Sequence, residues 1–148
     1  MERQSAVQSA IKFIGIKTCS SGQIRERLSK LEYGESEIQD AILELIDRGY
    51  LDDEKYAKSY IRKRMANNPK SKKVLEMELL QKGISESIID KQLTEANIDD
   101  FIIALELARK RYKEFDKGKD EQKLYNYLAY RGFSSEVIHK VNRELHSR

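Results

Sequence analysis

Cysteine, proline, tryptophan and histidine are scarce or missing in this chain, and each scarcity closes off a class of protein. A single cysteine, Cys19, in 148 residues cannot form a disulfide within the chain, which fits a reducing compartment. The two histidines, His139 and His146, both lie near the C-terminus and cannot build a cysteine–histidine zinc centre. The longest apolar runs, FIGI (13–16) and FIIAL (101–105), fall far short of the roughly 20 residues a membrane helix needs. Nor does MERQSAVQS lead into the apolar region of a signal peptide. A cytoplasmic protein without membrane association is the expectation. Also missing are a P-loop, a glycine-rich dinucleotide turn, HExxH and GxSxG. The expectation is therefore no enzyme, no metal and no cofactor.

Charge, by contrast, is plentiful. Charged residues make up 36% of the chain beside one proline, the composition of a helix-rich soluble domain. A chain of this length buries roughly 70% of the surface its unfolded form exposes. The net charge of +3 conceals a polarity. Glu32 to Glu54 carries nine acids and one base, Arg48, whereas Lys58 to Lys82 carries eight bases and two acids, Glu76 and Glu78. A further basic cluster, RKRYK, spans 109–113. Blocks of opposite sign suit a surface that meets charged partners in one orientation. Each block alone reads equally well as a solvated helical face.

A repeat emerges from the apolar spacing. Ile24, Leu28, Tyr33, Ile38 and Ile42 are separated by four, five, five and four residues, and Leu75, Leu79, Ile84, Ile89 and Leu93 repeat that spacing. Leu124, Leu128, Phe133 and Ile138 keep the first three steps, after which Val141 comes one residue early and Asn142 holds the expected place. Steps of three and four stay on one helical face, and the fives bracket a turn. In KGIS (82–85) and RGFS (131–134), a glycine ends one helix and Ser85 or Ser134 caps the next. The first copy has Gly34 after Tyr33 instead, so its turn is expected to differ locally. Another amphipathic segment precedes each pair: Val7, Ala10, Ile11 and Ile14; then Tyr56, Ala57, Tyr60, Ile61 and Arg64; then Phe101, Ala104, Leu105, Ala108 and Tyr112. Ser20 and Gln23 form a capping-box pattern. The reading is all-α: three tandem three-helix repeats at 1–49, 50–97 and 98–148, forming an elongated, curved molecule.

RGYLDDEKYA (48–57) gathers a glycine, two tyrosines and three consecutive acids. It reads as a joint between repeats. Gly49 suits a helix C-terminus, Tyr50 and Leu51 pack back on the units to either side, Asp52 or Asp53 caps the following helix, and Tyr56 begins its apolar face. A metal site would need converging oxygens from a shaped loop, and no EF-hand spacing is present. Cys19, just before a helix start, is placed where a thiol pKa can fall, but without a neighbouring histidine it reads as a small boundary residue.

GYLDDEKYAKSYIRKRM, VLEMELLQKGI and RGFSSEVI, in that order and spacing, resemble the RecX family of bacterial recombinase regulators. The similarity runs from AIKFIGIKTCSSGQIRERL (10–28) to the last helix. One departure is the loop NNPKSKK, which stands where the family usually has a glycine-rich basic loop; it keeps the charge and stiffens the backbone. The resemblance implies a non-enzymatic regulator built from three-helix units. Such a protein binds the RecA recombinase on single-stranded DNA, lodges in the filament groove across adjacent subunits, and restrains filament assembly, ATP hydrolysis, strand exchange and repressor cleavage.

The candidate contacts for the recombinase or for single- and double-stranded DNA are Arg62, Lys63 and Arg64, then Lys70, Lys72 and Lys73 in a loop with little structural duty, then Arg109, Lys110 and Lys113. Arg64 has the alternative of snorkelling along the core edge. Tyr60, Tyr125, Tyr127 and Tyr130 have the chemistry to stack on bases, although tyrosines on an amphipathic helix more often belong to its core or rim. The rival class is a direct DNA-binding protein using helix-turn-helix-like repeats, against which the acidic block at 32–54 argues. A monomer is expected.

Overall fold

The computed structural model describes residues 3–146. Among these there are nine α-helices and no strand: α1 (Ala6–Ile14), α2 (Ser21–Lys30), α3 (Glu35–Asp47), α4 (Asp53–Asn67), α5 (Lys72–Gln81), α6 (Glu86–Glu95), α7 (Asp100–Arg111), α8 (Lys117–Tyr130) and α9 (Ser135–His146). Every apolar position of the repeating pattern is buried, none more than 8% exposed. In the third copy Val141 is fully buried and Asn142 only partly. The early step therefore keeps an apolar side chain on the inner face of α9.

Contacts divide the chain into two compact units. The first comprises Met1–Tyr60 and Glu78–Gln92, the second Ile61–Met77 and Leu93–Arg148. The first has a core of α1–α3 residues, including Ala10, Ile24, Leu28, Ile38 and Leu45, closed by Leu51. Tyr33 belongs to that core because its hydroxyl is satisfied: it donates to the Gln4 carbonyl at 2.6 Å and lies 2.7 Å from the Ser9 hydroxyl. The second unit buries Ala104, Ala108, Leu124, Leu128, Phe133, Ile138 and Val141 from α7–α9. Alanines on α7 let the neighbouring helices approach, and larger residues such as Phe101 and Leu105 flank them half-buried.

One turn recurs at five helix ends. After α2, α3, α5, α6 and α8 a residue takes positive φ, and the next N–H reaches back five residues to a carbonyl. The pairs are Tyr33 to Leu28, Tyr50 to Leu45, Ile84 to Leu79, Ile98 to Leu93 and Phe133 to Leu128. The left-handed residues are Glu32, Gly49, Gly83, Asn97 and Gly132. Each turn thus satisfies carbonyls that a helix end leaves orphaned. The first turn does not differ in backbone, contrary to the expectation from Gly34. Glu32, at φ 66°, does what glycine does in the later copies, and Gly34 is the N-cap of α3 at an ordinary φ of −71°.

Helix starts follow the capping chemistry. Ser20 and Gln23 form the anticipated box, and Ser5 with Gln8 forms another. The Ser134 hydroxyl accepts from the Val137 N–H at 3.2 Å. At Ser85 it is the carbonyl that accepts the Ile89 N–H, while the hydroxyl lies 3.3 Å from that of Ser87.

Candidate partner-binding surface

The acidic joint resolves into three separate duties. Asp52 caps α4, accepting the Lys55 N–H at 3.1 Å. Asp53 accepts the Ser21 backbone N–H at 2.8 Å and also the Ser21 hydroxyl, so it seals the N-terminus of α2 rather than of its own helix. Glu54 lies 3.0 Å from the Lys91 ammonium. Gly49 is left-handed at φ 81°, and Leu51 is buried. Tyr50 departs from the reading: it is 41% exposed, with the Arg48 guanidinium 5.3 Å from its ring. The tight turn spends its backbone N–H on Leu45 and leaves the ring outside. Tyr56 is half-buried and stacks on Tyr60 with ring centroids 6.5 Å apart. Burial pushes its phenol pKa up, and Tyr60 and Cys19 add to the effect. Among the described residues no group of three or more His, Cys, Asp or Glu side chains could hold a metal ion.

Burial also raises the Cys19 thiol, against a weaker pull from Lys17. The thiol donates to the Lys17 carbonyl at 3.1 Å. A helix start does not lower this pKa, because the side chain is withdrawn from solvent.

Serines at two helix N-termini repeat one interlock. In the first unit the buried Ser20 hydroxyl donates to the Lys82 carbonyl, and Gly22 lies against Gly83 so closely that a Cβ on either would fall 2.5 Å from the other's Cα. In the second unit the buried Ser71 donates its N–H to the Arg131 carbonyl at 3.2 Å, and Gly132 lies against Ser71 and Val74. Asp100 accepts the Lys72 N–H at 2.8 Å, much as Asp53 accepts that of Ser21. The segment NNPKSKK therefore has a structural duty that its composition conceals. Asn68 and the Pro69 carbonyl accept from Arg131 as well. What remains for partners is its lysine side chains.

All nine candidate cations fall within the second unit. Arg62, Lys63, Lys72, Lys73, Lys110 and Lys113 are exposed, while Arg64, Lys70 and Arg109 are half-buried. Arg109 lies 3.6 Å from Glu144, which places it at the rim of the α7–α9 packing. A second cationic group escaped notice in the sequence. Arg111, Lys123 and Arg131 line an open cavity of about 540 Å³ with Tyr112, Tyr127 and Tyr130. Its signal was present: Lys123, Tyr127 and Tyr130 follow helical steps of four and three.

No described helix is long and apolar enough to cross a membrane. Family models match in two stretches, "RecX, second three-helix domain" over residues 52–93 and "RecX, third three-helix domain" over residues 99–141. The chain belongs to the RecX family. It is 34% identical to the regulatory protein RecX of Chlorobium phaeobacteroides, covering 93% of this chain and 91% of that one. Against the RecX of Bacillus cytotoxicus identity is 31%, covering 97% of this chain and 55% of the relative. The corresponding share of the Streptococcus uberis protein is 54%, so the chain spans about half the length of these two relatives. The crystal structure of RecX from Lactobacillus salivarius matches with a TM-score of 0.79 at 26% identity, covering 97% of this chain and 96% of that one. The helical RecX fold is thus shared along the chain.

Proposed function

We propose that this RecX-family chain is a regulatory protein, not an enzyme, that binds the RecA recombinase and its filament on single-stranded DNA. It restrains filament assembly, ATP hydrolysis, strand exchange and repressor cleavage. Three three-helix repeats, at 1–49, 50–97 and 98–148, present the contacts to adjacent recombinase subunits along the filament groove. The relatives' name, regulatory protein RecX, supports the regulatory role. The observation that carries the choice of surface is the gathering of all nine candidate cations in the second unit, six of them exposed. Such a surface speeds encounter with an acidic partner and fixes its orientation.

ATP hydrolysis by the recombinase on single-stranded DNA, with this protein added well below one copy per subunit, is the test. Inhibition is expected. The charge reversal Lys63→Glu, Lys72→Glu and Lys73→Glu should raise the concentration needed by about tenfold, since like charges now face the partner. Hydrolysis that continues unchanged with an excess of the unaltered protein, using the recombinase of the same organism, would refute the proposal.

A further inference from the structure

The cavity on α7 and α8 carries an unusual combination of side chains. Three are cations, three are phenol rings, one is Asn126, and none is a carboxylate. Tyr127 sits between two guanidiniums, with Arg111 at 4.6 Å and Arg131 at 4.9 Å from its ring centroid. Arg131 is held from behind by Asn68 and by the Pro69 carbonyl at 3.1 Å. Arg131 is therefore ordered before any ligand arrives, which lowers the entropy lost on binding. Tyr130, by contrast, is 88% exposed, the highest value among the large apolar and aromatic side chains that face solvent. A ring in that position contributes nothing to the core of α7–α9.

We infer that this face is a binding site for single-stranded nucleic acid, in which Arg111, Lys123 and Arg131 take backbone phosphate and Tyr130 stacks on an unpaired base. Each half of the chemistry answers a different part of the ligand. Guanidiniums match phosphate oxygens in a planar fork, and an exposed phenol offers a face to a base of any identity. A duplex cannot use the ring, because its bases are already stacked on one another. An acidic protein segment could use the cations but offers Tyr130 a flat ring only where it carries an aromatic side chain, whereas every nucleotide brings a base beside its phosphate. The site includes none of the nine cations assigned to the recombinase surface, and it stands or falls independently of that assignment.

Anisotropy of a labelled short oligothymidylate, titrated with the full chain, tests it. Tyr130→Ala should weaken binding by about tenfold and Tyr130→Phe by less than about twofold, since the ring and not the hydroxyl does the stacking. Arg111→Gln with Lys123→Gln should flatten the log–log salt dependence by about 1.4, from two lost phosphate contacts on a single strand. Circular dichroism melts of each variant establish that the helices remain intact; Tyr130, being so exposed, is the variant that folding does not confound. A duplex of the same length should bind more weakly and ignore Tyr130→Ala. Equal binding by the Ala and Phe variants would overturn the inference, as would inorganic polyphosphate or polyglutamate competing as well as the oligonucleotide. The first result would reduce the site to a charge patch, the second to a general anion surface.

Discussion

The two compact units are built with the same joint and carry opposite charge. The first has fourteen acids to eleven bases across its two segments, the second seventeen bases to eleven acids, so −3 faces +6 in net charge. Yet in both a buried serine at a helix N-terminus meets a helix-ending turn, and in both the first aspartate of the helix two places on seals the same N-terminus. Packing geometry and surface charge have thus been set independently. The joint is specified by a few small residues and by hydrogen bonds that mostly engage backbone groups. The solvent faces are left to differ, and it is there that the proposed recombinase surface and the nucleic-acid site both lie.

The joints differ in one respect that a substitution can expose. In the first unit backbone meets backbone at Gly22 and Gly83, whereas in the second Gly132 meets the side chains of Ser71 and Val74. A side chain can yield; two backbones cannot. Within a helix, Gly→Ala ordinarily stabilises by about 1 kcal/mol. Gly22→Ala should instead destabilise by about 3 kcal/mol, from overpacking against Gly83. The sign of the change in a urea midpoint decides the matter, because a stabilised variant would mean that the close approach does not exist.

A smaller contrast concerns the aspartates. Asp53 accepts two hydrogen bonds from Ser21, through the backbone N–H and the hydroxyl, while Asp100 accepts one, from the Lys72 N–H. Removing a cap costs about 1 kcal/mol, and each further hydrogen bond to a charged group adds a comparable amount. Asp53→Ala should therefore lower stability by about 2 kcal/mol and Asp100→Ala by about 1 kcal/mol. Equal losses in denaturant titrations would show that the Ser21 hydroxyl contributes nothing.

The two kinds of feature also differed in how far they could be read from the chain. The anchors from Ile24 to Val141 were legible because burial imposes a helical period on apolar residues, and the glycines of KGIS and RGFS because left-handed backbone favours glycine. Partners far apart in sequence leave no such period. Asp53 is 32 residues from Ser21, and nothing near either one announces the pair. Composition misled at NNPKSKK, where polar residues looked idle although Asn68, Pro69 and Ser71 hold the Arg131–Gly132 turn. Of the cavity on α7 and α8, Tyr127 and Tyr130 were candidates for stacking; of the guanidiniums around Tyr127, Arg131 lies four residues on at the end of the same helix, but Arg111 comes from the end of α7 and only folding brings it there.

The smallest expected effect comes from the turn that ends α2. Glu32 and Gly83 occupy equivalent places, at φ 66° and φ 80°, with the same backward hydrogen bonds. A residue with a Cβ at such an angle is strained by about 1 kcal/mol, and the Glu32 side chain is exposed, with no packing to offset the strain. Glu32→Gly relieves it but frees the unfolded chain, which returns part of the gain. The net stabilisation should be about 0.5 kcal/mol, read as a rise in the urea midpoint at unchanged slope. The converse change in the same turn, Gly83→Glu, adds the strain and also drives a Cβ into Gly22, so it should destabilise several times more than Glu32→Gly stabilises. If the two changes were equal and opposite, backbone preference alone would govern both turns, and the contact at Gly22 would carry no weight in the fold.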